Sequence, residues 1–264
     1  MTIKAAGTQS TVAQTGASTP IIEFRDVRVQ FDSHMVHDGL SFALNPGEVT
    51  TLLGPSGAGK TLVLKLIIGL IFASKGVVSV TGRDMNTLTE EELREVRVTA
   101  GMLFQGAALF DSLSIFENIA YGLRERGETN EQTLREVVAS RLEMVGLPGI
   151  EKKVPSQLSG GQKKRVGLAR ALATSPRIML YDEPTTGLDP TSTRMIDELI
   201  VKFKEVHGIT SLVVTHDIAS ARRISDRWML LNGGKIVADG PVDTVSQENQ
   251  FVADFIAGRW KEEI

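Results

Sequence analysis

An α/β fold, with a mostly parallel sheet covered by helices, is predicted by three observations. Continuous apolar segments suited to buried strands ("VTTLL", "RIMLYDEP", "ITSLVVTHD") alternate with helical patterns. A glycine-rich loop joins one of these strands directly to a helix. The 264 residues include 42% hydrophobic side chains, enough for one large domain or a core with a subdomain.

The strands and helices follow in order. After Pro20, "IIEFRDVRVQF" places Ile22, Phe24, Val27, Val29 and Phe31 at strand spacings. In "GLSFALNPGEVTTLLG", Asn45-Pro46-Gly47 is a turn before a short apolar strand. A helix begins near Thr61, and "GVVSVTG" is a strand with turns at both ends. "TEEELREVR" starts a helix, with Thr89 as N-cap and acids over its first turn. Residues 130 to 147 are an amphipathic helix with Leu134, Val137, Val138, Leu142 and Val145 on one face. "SGGQKKRVGLARALATSP" is a helix ended near Pro176, and "TRMIDELIVKFKEVHG" one closed by Gly208. "RWMLLNGGKIVADG" is two strands joined at Asn232-Gly233-Gly234.

Composition excludes several classes. The 29 basic and 32 acidic side chains give a formal net charge of -3, no basis for broad nucleic-acid binding. There is no cysteine, which removes disulfides and thiolate metal sites and fits a reducing compartment. No segment reaches the roughly 18 apolar residues that a membrane span needs; "TLVLKLIIGLIF" is broken by Lys65 and Gly69. Residues 1–20, rich in Thr, Ala, Ser, Gly and Gln, lack the apolar run of a signal peptide and are expected to be a disordered tail.

Three motifs carry chemistry. "GPSGAGKT" comprises Gly54, Pro55, Ser56, Gly57, Ala58, Gly59, Lys60 and Thr61, and fits the phosphate-loop pattern between strand and helix. Its glycines let backbone N–H groups curl round phosphate oxygens. Lys60 is expected to reach the β- and γ-phosphates, and the Thr61 hydroxyl to bind Mg²⁺. In "IMLYDE" a buried strand delivers Asp182 and Glu183 to its C-terminal end. Asp182 would join the Mg²⁺ shell, and Glu183 would polarise an attacking water. In "LSGGQ", Ser159, Gly160, Gly161 and Gln162 open a helix and make a second anion site. Two such sites, too far apart to hold one nucleotide within a monomer, predict a two-fold dimer with each nucleotide between one chain's phosphate loop and the other's "LSGGQ".

With these motifs, residues 21 to about 245 resemble the ATP-binding subunit of ABC transporters. The resemblance implies a P-loop NTPase (RecA-like) α/β core with an N-terminal antiparallel β part and an inserted α-helical subdomain. Residues 21–104 and 163–245 would form the catalytic core, 105–162 the helical subdomain with Q-loop and signature motif, and 246–264 a C-terminal helix. It implies ATP and Mg²⁺ as ligands. Gln105 matches the Q-loop glutamine, which senses Mg²⁺ and the attacking water. Asp189 in "GLDP" matches the D-loop. His216 in "VVTHD" matches the switch histidine beside the γ-phosphate. Phe31 falls where the family stacks an aromatic on adenine. His34, His37 and His207 read as surface residues, and "KKR" at 163–165 as a solvated helix face.

The stretch "LFQGAALFDSLSIFENIAYGLRER" puts bulky apolar side chains among loop signals. By resemblance it is the permease-docking segment, near residues 105–121, and its wording is similar to the ATPases of Mla/MCE-type lipid transporters. That implies a homodimeric motor subunit powering phospholipid transport across a bacterial envelope. The chain would lie on the cytoplasmic face of the inner membrane, peripheral through a permease, with an MCE-domain partner. A small accessory subunit belongs to some relatives; the long C-terminal arm of some relatives is not matched after "FVADFIAGRW". Two alternatives stand beside this: the ATPase of a small polar solute importer, and a soluble non-transport ABC protein acting on ribosomes or DNA. Against the latter, the chain carries one cassette and no heptad insertion.

Overall fold

The computed structural model describes residues 19–259; most of the expected N-terminal tail, and residues 260–264 of the expected C-terminal helix, lie outside them. Two sheets carry the fold. The first is antiparallel: β1 (Ile22–Phe31) lies between β2 (His34–Leu44) and β4 (Lys75–Val80), and the short β5 (Arg83–Asp84) pairs β4 at the edge. The second has six strands in the order β10-β9-β3-β8-β7-β6. Its parallel members are β3 (Val49–Leu53), β6 (Ala100–Leu103), β7 (Ile178–Asp182), β8 (Thr210–Val214) and β9 (Arg227–Asn232); β10 (Lys235–Pro241) closes the edge antiparallel to β9.

Every residue of β3, β7 and β8 is buried, as strands covered on both faces must be. Their side chains alternate between two cores. Ile178, Leu180, Leu212 and Val214 face the antiparallel sheet and helix α1 (Lys60–Ile67). Met179, Tyr181 and Val213 face the core shared by α3 (Ile115–Arg124), α4 (Glu131–Met144), α5 (Gly160–Leu172) and α6 (Pro190–His207). A third cluster packs Trp228 and Leu230 under α8 (Val242–Glu248) and α9 (Gln250–Ile256). The expected cap of α2 (Glu90–Thr99) is present as a full capping box between Thr89 and Glu92. Among the described residues no helix is long and apolar enough to cross a membrane.

Three expectations change. The stretch 103–126 is loop only from 104 to Ser114: its second half is α3, capped by Ser114 and carrying buried Ile115, Ile119 and Ala120. The C-terminal helix is instead two short helices that start at Val242. β2 begins at His34, further upstream than its apolar pattern shows, because β1 supplies its hydrogen-bonding partner. Two short elements carry no sequence signal of their own: β6, and α7 (Ile218–Ile224).

Gly101, the buried second residue of β6, sets how closely α5 can approach the sheet. A Cβ there would lie 2.6 Å from the Ala171 carbonyl oxygen and 2.6 Å from the Met179 sulfur. Gly101→Ala is therefore expected to destabilise the fold by about 1–3 kcal/mol through overpacking. A urea midpoint equal to wild type would show that α5 does not rest on this strand.

Candidate active site

The chain leaves β3 at Leu53 and turns through residues 54–59 into α1, whose N-cap is Gly59. Two glycines have no room for a side chain. A Cβ at Gly54 would sit 2.5 Å from the Leu231 carbonyl oxygen, and one at Gly59 would sit 2.6 Å from the His37 ring. Gly59 also has φ +87°, a conformation that disfavours L side chains. The loop is thus wedged between β2 and β9 with its backbone exposed on the remaining side.

Lys60 is only 8% exposed. Its Nζ folds back to donate to the carbonyls of Gly54 (2.8 Å) and Pro55 (2.7 Å). Burial pushes its pKa below the usual lysine range, against the upward pull of Glu183 and Asp182. Next to it the Thr61 hydroxyl donates to Asp182 Oδ1 at 2.9 Å. Asp182 is 6% exposed, and burial lifts its carboxyl above the usual range despite the Thr61 hydrogen bond.

Glu183 follows with φ +49°, a left-handed conformation that costs a non-glycine residue about 1–3 kcal/mol. Neighbouring groups hold it there. Its N–H continues the sheet ladder to the Val214 carbonyl (2.9 Å), and its own carbonyl accepts from Lys164 Nζ (2.9 Å). Its carboxylate meets His216 Nδ1 at 3.0 Å and accepts from Thr186 Oγ1 (3.0 Å) and Thr215 Oγ1 (3.3 Å). His216, just past β8, is largely exposed. Gly57, Lys60, Thr61, Gln105, Glu183 and His216 line one cleft of about 540 Å³.

Of the other sequence-predicted residues, Ser56 and Gly59 also line this cleft, and the rest stand outside its lining. Phe31 ends β1 and is 47% exposed; the cleft is lined nearby by His34 and Val36 instead. Ser159 caps α5: its hydroxyl accepts from Gln162 N–H (3.2 Å), and Gln162 Oε1 accepts from Ser159 N–H (3.0 Å). Ser159 and Gly160 are exposed at that helix end. Asp189 caps α6, and its hydrogen bonds from Ser192 hold its carboxyl below the usual range. A larger hollow, about 810 Å³, adjoins it between Leu188, Pro190, Asp217 and Arg223 and does not touch the phosphate loop.

Two readings are overturned. His37 is not a surface residue: it is fully buried, with Nε2 3.2 Å from the Gly59 carbonyl oxygen. The "KKR" segment is not a solvated face. Lys164 is 5% exposed on Glu183, and Arg165 donates to the carbonyls of Val145 and Gly146. The signal for Lys164 was present, since it lies three residues after Gly161 and four before Leu168, on the buried face of α5. Thr186 and Thr215 had none beyond flanking the acidic and histidine motifs.

The donor set fits a magnesium-bound polyphosphate. Thr61 and Asp182 place two hard oxygen donors in contact beside the Lys60 ammonium that lines the cleft, at the start of a helix. Among the described residues no cluster of three His, Cys, Asp or Glu side chains could hold a metal by itself. Any metal here would need ligands from outside such a cluster.

Comparison with known proteins bears on this arrangement. Residues 37–186 match the family model described as ABC transporter. The chain is 38% identical over 239 residues to the intermembrane phospholipid transport system ATP-binding protein MlaF of Haemophilus influenzae, covering 90% of this chain and 90% of that one. It is 38% identical over 233 residues to the methionine import ATP-binding protein MetN of Rhizobium johnstonii, covering 88% of this chain and 64% of that one. Among solved structures, a dimeric ATP-binding cassette in a post-hydrolysis state, bound to ADP and Pi, matches with a TM-score of 0.77 at 31% identity, over 84% of this chain and 98% of that one.

The raised carboxyl of Asp182 has a consequence for stability. Between its ordinary pKa and its higher folded value, the folded protein holds the proton more tightly than the unfolded chain. Its contribution to stability is present at acid pH and is lost as pH rises through that window. At pH 7 the ionised, buried carboxylate costs stability. Asp182→Asn keeps an acceptor for Thr61, so the ligand-free variant is expected to melt at or above the wild-type temperature at pH 7, with the difference shrinking near pH 4. A lower melting temperature at pH 7 would contradict the assignment.

Proposed function

From the premise that the chain belongs to the ABC transporter family, as an ATP-hydrolysing subunit, we propose that it is the motor of a phospholipid transporter in a bacterial envelope. The observation that carries the chemistry is the convergence of Lys60, Thr61, Gln105, Glu183 and His216 on one cleft, with Asp182 bonded to Thr61 behind it. Lys60 would exchange its two loop carbonyls for phosphate oxygens. Glu183 would take a proton from the attacking water, with His216 fixing the carboxylate's orientation. Magnesium, held by Thr61, Asp182 and Gln105, would neutralise charge developing on the phosphates.

The nucleotide would be completed by a second copy of the chain. Ser159 and Gly160 present an exposed helix start away from the cleft, with Gly161 buried behind them, and the solved relative with ADP and Pi is dimeric. Asp189 would lie near that junction and Phe31 against the base. The permease would dock on the segment near 105–121. There the rings of Phe110 and Tyr121 are 42% and 43% exposed and pack at 4.8 Å. Docking there would hold the chain peripherally at the cytoplasmic face of the inner membrane.

Phospholipid is preferred to small-solute import because the match to MlaF extends over 90% of that protein, while the match to MetN leaves about a third of it uncovered. An MCE-domain protein and a small accessory subunit are the further partners this reading implies. The importer reading stands as the alternative, because the same cassette is shared by both relatives.

Two experiments test this. Glu183→Gln is expected to lower ATPase turnover by about a hundredfold or more while ATP still binds; substantial turnover in that variant would remove Glu183 from its role. Purification from native membranes is expected to bring down a permease, an MCE-domain protein and bound phospholipid. Recovery of a periplasmic solute-binding protein in their place would establish the importer.

A further inference from the structure

We propose that His37 is a positioning residue of the phosphate loop, its imidazole fixing the Gly59–Lys60 peptide so that the loop is formed before a nucleotide arrives. The inference rests on the nucleotide reading of the cleft and adds a residue that this reading does not use. His37 lies on β2, opposite Val29 of β1, and is fully buried. Its neighbours His34 and Val36 line the cleft directly.

The hydrogen-bond geometry defines the ring's state. Nε2 lies 3.2 Å from the Gly59 carbonyl oxygen, and a carbonyl only accepts, so Nε2 carries the proton. Nδ1 is then a bare acceptor, buried, with no hydrogen-bond partner among the described residues. Burial also pushes the imidazole below its ordinary pKa, outweighing the Gly59 bond, so the neutral donor form is the one present near pH 7. An apolar side chain would fill this space without stranding a nitrogen. What the imidazole adds is the single N–H donated to Gly59.

That bond acts on a specific peptide plane. The Gly59 carbonyl also accepts from Leu62 N–H (3.0 Å) and Val63 N–H (3.3 Å) in the first turn of α1. The carbonyl and N–H of one trans peptide point in opposite directions. Holding Gly59 O against His37 and the helix therefore turns the Lys60 N–H toward the open end of α1, where an anion is received. The fit is tight: a Cβ on Gly59 would meet Val36 Cγ1 at 2.7 Å as well as the His37 ring. Behind it, a Cβ on Gly234 in the β9–β10 turn would meet the Val36 carbonyl oxygen at 2.6 Å. His37 is thus held from behind and presses on the loop from the side away from the cleft.

Titration of the full chain with ATP in EDTA, beside steady-state ATPase assays with magnesium, tests the proposal. His37→Leu and His37→Phe are expected to weaken ATP binding and raise KM by about fivefold, the loss of one hydrogen bond, with kcat within about twofold of wild type. His37→Gln, whose amide N–H can reach the same carbonyl, is expected to recover most of the affinity. A packing role alone would shift the unfolding midpoint of these variants and leave KM unmoved. Wild-type KM in both the Leu and Phe variants overturns the proposal, as does a raised KM that His37→Gln fails to lower. ATP binding that persists in Lys60→Ala would overturn the nucleotide reading itself, and this inference with it.

Discussion

The phosphate loop is gripped at both ends, at Gly54 and Gly59, and the site depends on that. Gly54 lies against the backbone of Leu231, Gly59 against the ring of His37, and Gly234 against the backbone of Val36. One strand from each sheet, β2 and β9, and the β9–β10 turn therefore meet around one turn of chain. At these two ends, conformational freedom that a glycine-rich segment would otherwise keep is removed by steric contact rather than by hydrogen bonds alone, while Gly57 between them stands in open space. A loop fixed in this way does not have to be ordered when its ligand binds, so binding is not weakened by that entropy. The same rigidity sets the axis of α1 and, through Thr61, the position of Asp182.

Around that fixed loop the charges are balanced and buried. Lys60 and Lys164 each sense both Asp182 and Glu183, and burial shifts both lysines downward while shifting Asp182 upward. Every one of these shifts is toward the neutral form, so desolvation outweighs the mutual attraction in each case. Two ammonium groups and two carboxylates can share a poorly solvated region because no charge stands alone. Among the described residues Lys60 hydrogen-bonds only to carbonyls and Lys164 to one carbonyl, with no carboxylate within salt-bridge distance of either. Their positive charge remains available to an incoming anion instead of being consumed in a tight ion pair. Glu183, by contrast, is met by His216 on one oxygen and by Thr186 and Thr215 on the other, which fixes its direction and leaves acceptor capacity free.

How much of this the sequence displayed depended on whether a residue's role is local. The strand–loop–helix around Lys60, the N-cap Thr89 and the buried strand before Asp182 are set by neighbours within a few positions, and their patterns are legible. The first half of β2 and all of β6 are strands because β1 and β7 lie beside them, and no periodicity in so short a segment records that. His37 and Lys164 depart from the surface expectation for a related reason. A polar residue type suggests exposure, whereas each is buried on one carbonyl from a distant part of the chain. The half-helical character of residues 103–126 was hidden by Asp111, Ser112 and Ser114. Such residues are loop signals, yet Ser114 is the cap that starts α3.

Helix α5 joins these parts into one body. Its first turn presents Ser159 and Gly160 to solvent, and one turn on Lys164 holds the Glu183 carbonyl. Near its end Arg170 donates to the carbonyls of Ala107 (2.9 Å) and Ala108 (2.6 Å). Those two alanines have φ +61° and +48°, a conformation that a non-glycine chain holds only under constraint. Asn118 holds the same loop from the other side, accepting from Phe110 N–H (2.8 Å) and donating to the carbonyls of Phe110 and Leu113. A displacement of the exposed Phe110 surface therefore cannot be absorbed locally. It must either break charge-assisted bonds to Arg170 or carry α5 with it, and a helix is stiff along its axis. The residue at one end of that helix would meet a second chain's nucleotide, and a residue in its middle sets the backbone of the chain's own Glu183. A load applied at the loop beyond Gln105 would thus be carried by one rigid element both to its exposed first turn and to the backbone of Glu183, which is the mechanical property the proposed motor role requires.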